Sequence, residues 1–230
     1  MGNPVWSQVQ VPAGAGNGIA LSQSLAGAGN LTLNGALVSG GVATLSPPRR
    51  VYITSAGNDA GITFTVYGTD RYGTSISEVM QGANGAATSR GVGYSVNDFL
   101  TVTRIAASGA TASTVTGGTG AVASSPWFGW SHEIAPLQVG IGCEVSGTAT
   151  ATVEHTYDDP NAAYPGAPQP NANSPPLAWA DPVINAVSAN TQASLPGPNG
   201  VPSVVFASRL TVFSGTGTVT FQAIQAGITN

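Results

Sequence analysis

Apolar and polar residues alternate along several segments of the chain, whereas no segment repeats its apolar residues at the spacing of an amphipathic helix. The clearest alternation covers residues 137–145, where every odd-numbered position is apolar. A period of two is typical of a half-buried strand. Residues 149–157 resume the alternation after a turn at Ser146 and Gly147. The two segments are therefore predicted to form a β-hairpin that ends at Asp158.

The first half of the chain carries further strand patterns, separated by turns rich in Gly, Asn and Asp. Residues 50–55 and 62–67 are predicted to form a hairpin around the intervening turn. A second turn at 70–73 leads into a predicted strand near 74–80. Further strands are expected near residues 99–106, 30–33 and 42–45.

Two segments in different halves of the chain resemble each other. Residues 50–55 read Arg-Val-Tyr-Ile-Thr-Ser, and residues 209–214 read Arg-Leu-Thr-Val-Phe-Ser. A Gly-containing turn follows in both, and the next strands, at 62–66 and 219–223, are also similar. The similarity indicates either two related halves or two copies of a common hairpin pattern.

Two irregular stretches suggest the domain organisation. Residues 108–125 are almost wholly small residues and mark a predicted boundary, and residues 158–176 contain six prolines, as expected of a loop. We expect an all-β fold with two β-sandwich or barrel-like, jelly-roll-type domains. The predicted parts are an extended N-terminal arm (1–27), a first β domain (28–125) and a second (126–230) that carries the Pro-rich loop 158–176.

Charge is scarce: the 230 residues include no lysine, six arginines and ten acids, giving 7% charged residues and a net charge of −4. Nucleic-acid binding needs a basic face, which this composition does not supply. An uncharged polar surface suits protein–protein contact, although a GC-rich genome would favour the same residues. No apolar stretch long enough to span a membrane and no secretory leader is visible. A membrane partner is not expected.

Few residues suggest chemistry. His155 could form a metal site with Asp158 and Asp159, but a hydrogen-bonded core histidine followed by a turn is favoured. His132 and Glu133 could join one of many serines in a triad, yet no Gly-x-Ser-x-Gly elbow is present. The single cysteine falls on the apolar side of its strand and is expected to be buried. We expect no catalytic residue, cofactor or metal.

The large aromatic residues are the candidate contact residues, because they lie outside the clean strand patterns. In loops, such residues serve either as core plugs or as anchors for a partner. The candidates are Trp6, Trp127, Phe128, Trp130 and Trp179.

Several of these segments are similar to known proteins. The runs 30–36, 41–45, 49–58 and 62–73, and in the second half 153–160 and 209–220, resemble β-rich virion proteins of tailed bacteriophages, including small proteins of the head and neck. The resemblance implies a structural protein without catalytic residues. It implies as partners the major capsid protein and copies of the chain itself, as in a trimer at a local three-fold axis.

The function expected from residues and resemblance together is capsid decoration: a cement protein that binds the outside of a phage head and stabilises it. A connector, collar or fibre-base component of the neck or tail is the nearest alternative. A carbohydrate-binding β-sandwich that stacks sugars on its loop tryptophans is an alternative of another class.

Overall fold

The computed structural model of the chain is all-β, which confirms the predicted fold class. It describes residues 3–85, 93–131, 138–158, 178–195 and 205–225, and within these residues the strands are antiparallel and no helix occurs. The described residues form two compact units. Unit 1 contains the residues up to Pro12 and those from Ala121 onward, and unit 2 contains Ala13–Gly120.

Unit 1 is built from two open sheets. Sheet A has the strand order β1-β18-β13-β16, and sheet B has the order β11-β17-β14-β15 with β12 also paired to β17. The strands are β1 (Asn3–Gln10), β11 (Ala123–Ser124), β12 (Phe128–Gly129), β13 (Val139–Ser146), β14 (Ala149–Thr156), β15 (Ala178–Ala180), β16 (Thr191–Leu195), β17 (Ala207–Gly215) and β18 (Thr218–Gln225).

Unit 2 also contains two open sheets. Sheet C has the order β2-β10-β6, and sheet D has the order β4-β5-β9-β7-β8 with β3 also paired to β9. The strands are β2 (Ala15–Gln23), β3 (Gly29–Asn30), β4 (Val38–Ser39), β5 (Val42–Arg49), β6 (Val51–Ser55), β7 (Thr63–Thr69), β8 (Ser75–Gln81), β9 (Phe99–Ala107) and β10 (Val115–Thr119).

Each unit buries the apolar sides of its two sheets against each other. In unit 1 the alternating residues of β13 meet those of β14 and β17, with Ile141, Leu210 and Phe221 in one cluster. In unit 2, Ile53 of sheet C packs with Phe64 of sheet D. This is the arrangement of a β-sandwich. No sheet closes into a barrel among the described strands, so the sandwich form of the prediction holds and the barrel-like form does not.

The predicted hairpins are wrong in one respect: their strands do not pair with each other. β13 lies in sheet A and β14 in sheet B, and likewise β6 lies in sheet C and β7 in sheet D. Both connections are therefore arches that cross from one sheet to the other. Alternation predicts which side of a strand is buried, but a hairpin and an arch have the same alternation, so the pattern does not distinguish them. The turn at 70–73 does form a hairpin, between β7 and β8.

The same connectivity recurs in both units. In unit 1, arches join β13 to β14 and β17 to β18, while β14 pairs with β17 and β18 pairs with β13. In unit 2, arches join β6 to β7 and β9 to β10, while β7 pairs with β9 and β10 pairs with β6. The two similar segments of the sequence, 50–66 and 209–223, are therefore both strand–arch–strand elements of this four-strand arrangement.

Glycines allow the two arches of unit 1 to touch. The carbonyl of Thr148 accepts hydrogen bonds from the N–H groups of Thr216 and Gly217, at 3.0 and 2.8 Å. A Cβ at Gly215 would lie 2.0 Å from that carbonyl oxygen, and Gly215 also has a φ of +87°. Both facts require glycine at this position.

The N-terminal segment is not a free arm. Asn3–Gln10 pairs along its whole length with β18 as the edge strand of sheet A, and Ala15–Gln23 pairs with β10. Nor is 108–125 a plain linker, because Val115–Thr119 is the central strand of sheet C. Its small residues serve close packing: a Cβ at Gly118 would lie 2.0 Å from the carbonyl oxygen of Ala15. The Pro-rich loop lies outside the described residues, apart from Asp158 at its start.

Candidate functional site

The outer side of sheet A in unit 1 carries the most exposed of the predicted contact residues. The odd-numbered residues of β1, such as Val9, face the core, so the even-numbered ones point outward. Trp6 is 64% exposed although it lies in the middle of a regular strand. The strand register places four residues in one row across the sheet: Trp6, Gln222, Gly142 and Gln192.

Two neighbouring rows complete this outer face. One consists of Pro4, Ile224, Gly140 and Ser194. The other consists of Gln8, Thr220 and Glu144. Ile224 is 54% exposed, and Glu144 is the only charged residue among the described outward positions of these strands. The face thus combines two large exposed apolar side chains with an almost uncharged surround, as interfaces do at their centre.

The glycines on this face leave a trough beside β18. Gly140 and Gly142 both point outward from β13, with no side chain between β18 and β16. A Cβ would meet its nearest atom at 3.6 Å at Gly140 and at 3.7 Å at Gly142, which is ordinary contact. The fold therefore has room for side chains at both positions, and the trough is a feature of the surface that the packing of unit 1 does not require.

The other predicted contact residues lie in different surroundings. The guanidinium of Arg209 covers the ring of Trp127 at 4.5 Å. Phe128 is partly buried and stacks on Phe221 of the unit 1 core, with the ring centroids 5.5 Å apart. Trp130 is 5% exposed, so it fills the core, the other of the two roles expected for these aromatics.

Trp179 is partly exposed and forms a pair with Tyr157. Their ring centroids are 4.4 Å apart, and Tyr157 is 55% exposed. Trp179 also packs against the core cluster of unit 1. This pair is the second exposed aromatic surface of the unit.

A buried polar network lies inside unit 1. His155 Nδ1 is 2.8 Å from Ser208 Oγ, and His155 Nε2 is 2.9 Å from Asp181 Oδ2. The indole N–H of Trp130 donates to the same Ser208 oxygen at 2.8 Å. Asp181 Oδ1 also accepts from the backbone N–H of Ile184. Sequence analysis predicted a hydrogen-bonded core histidine here, and the structure confirms it.

The carboxylate of Asp181 can only accept, so Nε2 of His155 carries a hydrogen. The Ser208 oxygen accepts the indole N–H of Trp130 and lies 2.8 Å from Nδ1, the other ring nitrogen. The residues follow the order of a Ser–His–Asp relay, but the serine faces Nδ1 and the aspartate Nε2, the reverse of the hydrolase arrangement. Because His155 and Ser208 are 0% exposed and Asp181 is 1% exposed, the relay is enclosed and joins β14 to β17 and to the Asp181 turn.

Arg50 and Arg209, the first residues of the two similar sequence segments, have matching surroundings. Arg50 Nε lies 3.0 Å from Asp98, and its guanidinium lies 5.7 Å from the ring of Tyr94. Arg209 Nε lies 2.8 Å from Glu154, beside its contact with Trp127. Each arginine thus joins an acid and an aromatic ring from other segments of its unit. The resemblance in sequence extends to a resemblance in contacts.

The other residues considered as candidates for chemistry are Cys143, the turn at Asp158, and the His, Cys, Asp and Glu side chains that could bind a metal. Cys143 is buried, and burial raises the pKa of its thiol to about 11. The backbone N–H of Asp158 donates to the hydroxyl of Thr156, as in the predicted turn. No group of three His, Cys, Asp or Glu side chains suited to a metal ion occurs among the described residues, and His132 and Glu133 lie outside them.

Comparisons with known proteins add no relative. No protein family, no curated protein and no solved structure matches the chain. Within the described ranges, no helix is long and apolar enough to cross a membrane.

Sequence reasoning named Trp6 but missed the rest of its surface. Ile224 and the two glycines become neighbours of Trp6 only through the pairing of β1, β18 and β13. A clue existed in residues 137–145, where the outward positions include two glycines in succession. Asp181 and Ser208 carried no recognisable motif, because they reach His155 from other segments of the chain.

Proposed function

We propose that the chain is a non-enzymatic structural protein of a bacteriophage particle, and that it decorates the capsid by binding the major capsid protein and copies of itself. The observation that carries the proposal is the outer face of sheet A. A tryptophan that is 64% exposed on a regular, paired strand leaves apolar surface in water. A partner that covers this side chain would gain the free energy of burying that surface.

The distribution of polar chemistry supports assembly as the mode of action. The groups that could support catalysis, His155 and Ser208, are enclosed in the core of unit 1. The exposed face offers Trp6, Ile224 and neutral amides, which suit extensive contact with protein at a small desolvation cost. The resemblance of the sequence to tailed-phage virion proteins points to the particle as the setting.

Capsid decoration would work by linkage and multivalency. A protein that binds only the assembled shell stabilises it by the free energy of binding, and many symmetric copies add their contributions. A weak individual contact is sufficient for this purpose.

The test uses phage particles with and without this protein. We expect particles that lack it to release their DNA at a lower temperature, and purified protein added back to restore the wild-type temperature. Protein carrying Trp6→Ala should restore it poorly, whereas protein carrying Tyr72→Ala, which removes an aromatic exposed by 67% in unit 2, should act as wild type. Equal heat resistance with and without the protein would overturn capsid decoration.

A carbohydrate-binding module is a second candidate, favoured by the exposed Tyr157 and its partner Trp179. Paired aromatic rings of this kind can stack on sugar rings. Binding to a glycan array that disappears with Tyr157→Ala but persists with Trp6→Ala would support this function. No binding to any glycan on the array would exclude it in favour of assembly.

A further inference from the structure

We propose that the outer face of sheet A pairs with the same face of a second copy, related by a two-fold axis that runs parallel to β18. The proposal rests on the proposed role in assembly and specifies how copies would contact each other. It replaces the three-fold association implied by the resemblance with a two-fold one.

The face carries a projecting side chain, the knob, and a recess, the hole. Trp6 projects from β1, and the trough at Gly142 lies on β13, in the same row and on opposite sides of β18. Neighbouring strands are about 4.8 Å apart, so knob and hole lie at equal distances, roughly 5 Å, on either side of the central strand.

The equal spacing of knob and hole about β18 is compatible with two-fold symmetry. A two-fold axis lying between two stacked sheets, parallel to β18, exchanges the two sides of that strand and preserves position along it. It therefore places Trp6 of each copy over Gly142 of the other. An interface of this kind is isologous, because the same surface serves both copies.

The two neighbouring rows are also complementary to themselves under the same axis. Pro4 shares its row with Gly140, so the axis places a second apolar knob over the second glycine. Gln8 shares its row with Glu144, so the axis places an amide donor opposite the one carboxylate on the face. Facing copies would bring no like charges into direct contact.

The size of the face sets the expected affinity. Under this axis β1 faces β13 and β18 faces itself, whereas β16 has no strand opposite it. Three strands about 4.8 Å apart and about eight residues long cover roughly 400 Å² on each copy. The total of about 800 Å² lies in the range of weak, transient contacts, so a Kd on the order of tens of micromolar is expected.

The first experiment is sedimentation equilibrium of the full chain between about 1 and 100 µM, the range in which such a dimer would form. We expect a monomer–dimer equilibrium that Trp6→Ala weakens by roughly thirtyfold, as for loss of an aromatic hot spot. Gly142→Leu should weaken it similarly by filling the trough, since unit 1 has room for the side chain. Tyr72→Ala is the matched control and should not change it.

A second experiment tests the register of the pairing. Gln8→Glu places carboxylates opposite Glu144 of the other copy and should weaken the dimer. Adding Glu144→Arg to that variant should restore it, because glutamate and arginine would then face each other across the axis. Circular dichroism of each variant checks that the fold is kept.

Several outcomes would overturn the two-fold pairing. These are a monomer at all concentrations, a trimer, a dimer indifferent to Trp6→Ala and Gly142→Leu, or a Gln8→Glu defect that Glu144→Arg does not repair. A monomer that still protects phage particles would leave the proposed function standing. A dimer that neither binds nor protects particles would support the pairing and refute the function.

Discussion

Ser208 and His155 are joined by a hydrogen bond of 2.8 Å between Oγ and Nδ1, at a site where both residues are fully buried. Since the hydroxyl of Ser208 also accepts the indole N–H of Trp130, one oxygen satisfies two buried groups from different segments of unit 1. Through this oxygen, Ser208 links His155 of β14 to Trp130 in the interior of unit 1.

Removal of that oxygen should destabilise the protein. Ser208→Ala leaves a buried imidazole nitrogen and a buried indole N–H without their partner, and each unsatisfied group costs about 1–3 kcal/mol. We expect a loss of about 3 kcal/mol in the free energy of unfolding, measured by urea titration. Ser214→Ala, at an exposed position of the same strand, is the control and should change it by less than about 0.5 kcal/mol. Equal effects of the two changes would contradict this role.

Asp181 should make stability depend on pH in the acid range. Burial alone would raise its pKa, but hydrogen bonds from His155 and from the N–H groups of Ile184 and Val183 outweigh burial and hold the pKa below its ordinary value of 3.8. Because the unfolded chain then binds the proton more readily, this stabilisation is fully present above about pH 4. It is lost as the pH falls through the folded pKa.

The measurement is the free energy of unfolding of wild type and Asp181→Asn between about pH 2 and 7. The variant should be less stable at pH 7, and its stability should fall less steeply below pH 4. Parallel pH profiles for the two proteins would contradict the assignment.

Arg50 should contribute far more to stability than an exposed arginine. It is 0% exposed, and it contacts Asp98 and donates to the carbonyl of Ser95 at 3.2 Å. Arg50→Met breaks a buried ion pair, which costs about 3–5 kcal/mol. Arg104→Met, which removes an exposed arginine lying over the ring of Tyr67, should cost about 1 kcal/mol or less. Thermal unfolding gives the melting temperature of each variant. An equal drop in the two melting temperatures would contradict this expectation.

Two strand glycines should respond oppositely to the same substitution. A Cβ at Gly118 would lie 2.0 Å from the carbonyl oxygen of Ala15, so Gly118→Ala forces β2 and β10 apart. We expect a cost of about 3 kcal/mol, the upper end for overpacking. At Gly140 the nearest atom would be 3.6 Å away, on Ile224, and Gly140→Ala should be neutral or slightly stabilising. Urea titration of the two variants compares them directly.

The sequence was a good guide to which residues are buried and a poor guide to which strands are neighbours. The alternation in residues 137–145 correctly predicted the buried side of β13, because period-two patterning reflects burial directly. It did not predict that β13 pairs with β18 and not with β14, since sheet membership depends on contacts between distant segments. Asp181 and Ser208 lie 26 and 53 residues from His155, and nothing local marks either as its partner.

Trp6 illustrates the same limit. Its position outside the clean patterns made it a candidate contact residue, and the segment around it was expected to be an extended arm. Residues 3–10 contain four glutamine, asparagine or serine residues and only two valines, so the alternation is weak on its own. The strand is specified by the pairing edge of β18, which lies at the other end of the sequence.

That pairing of β1 with β18 has a consequence for the order of events during synthesis. Gln8 bonds to Thr220 across 212 residues, so the ribosome must add all of those residues before β1 finds its partner. At about 5–20 residues per second this takes roughly 10–40 s. The described residues of unit 2, which lie between Ala13 and Gly120, are all made long before then. The uncharged strand β1 and its tryptophan therefore stay without their β18 partner until nearly all of unit 1 has been made.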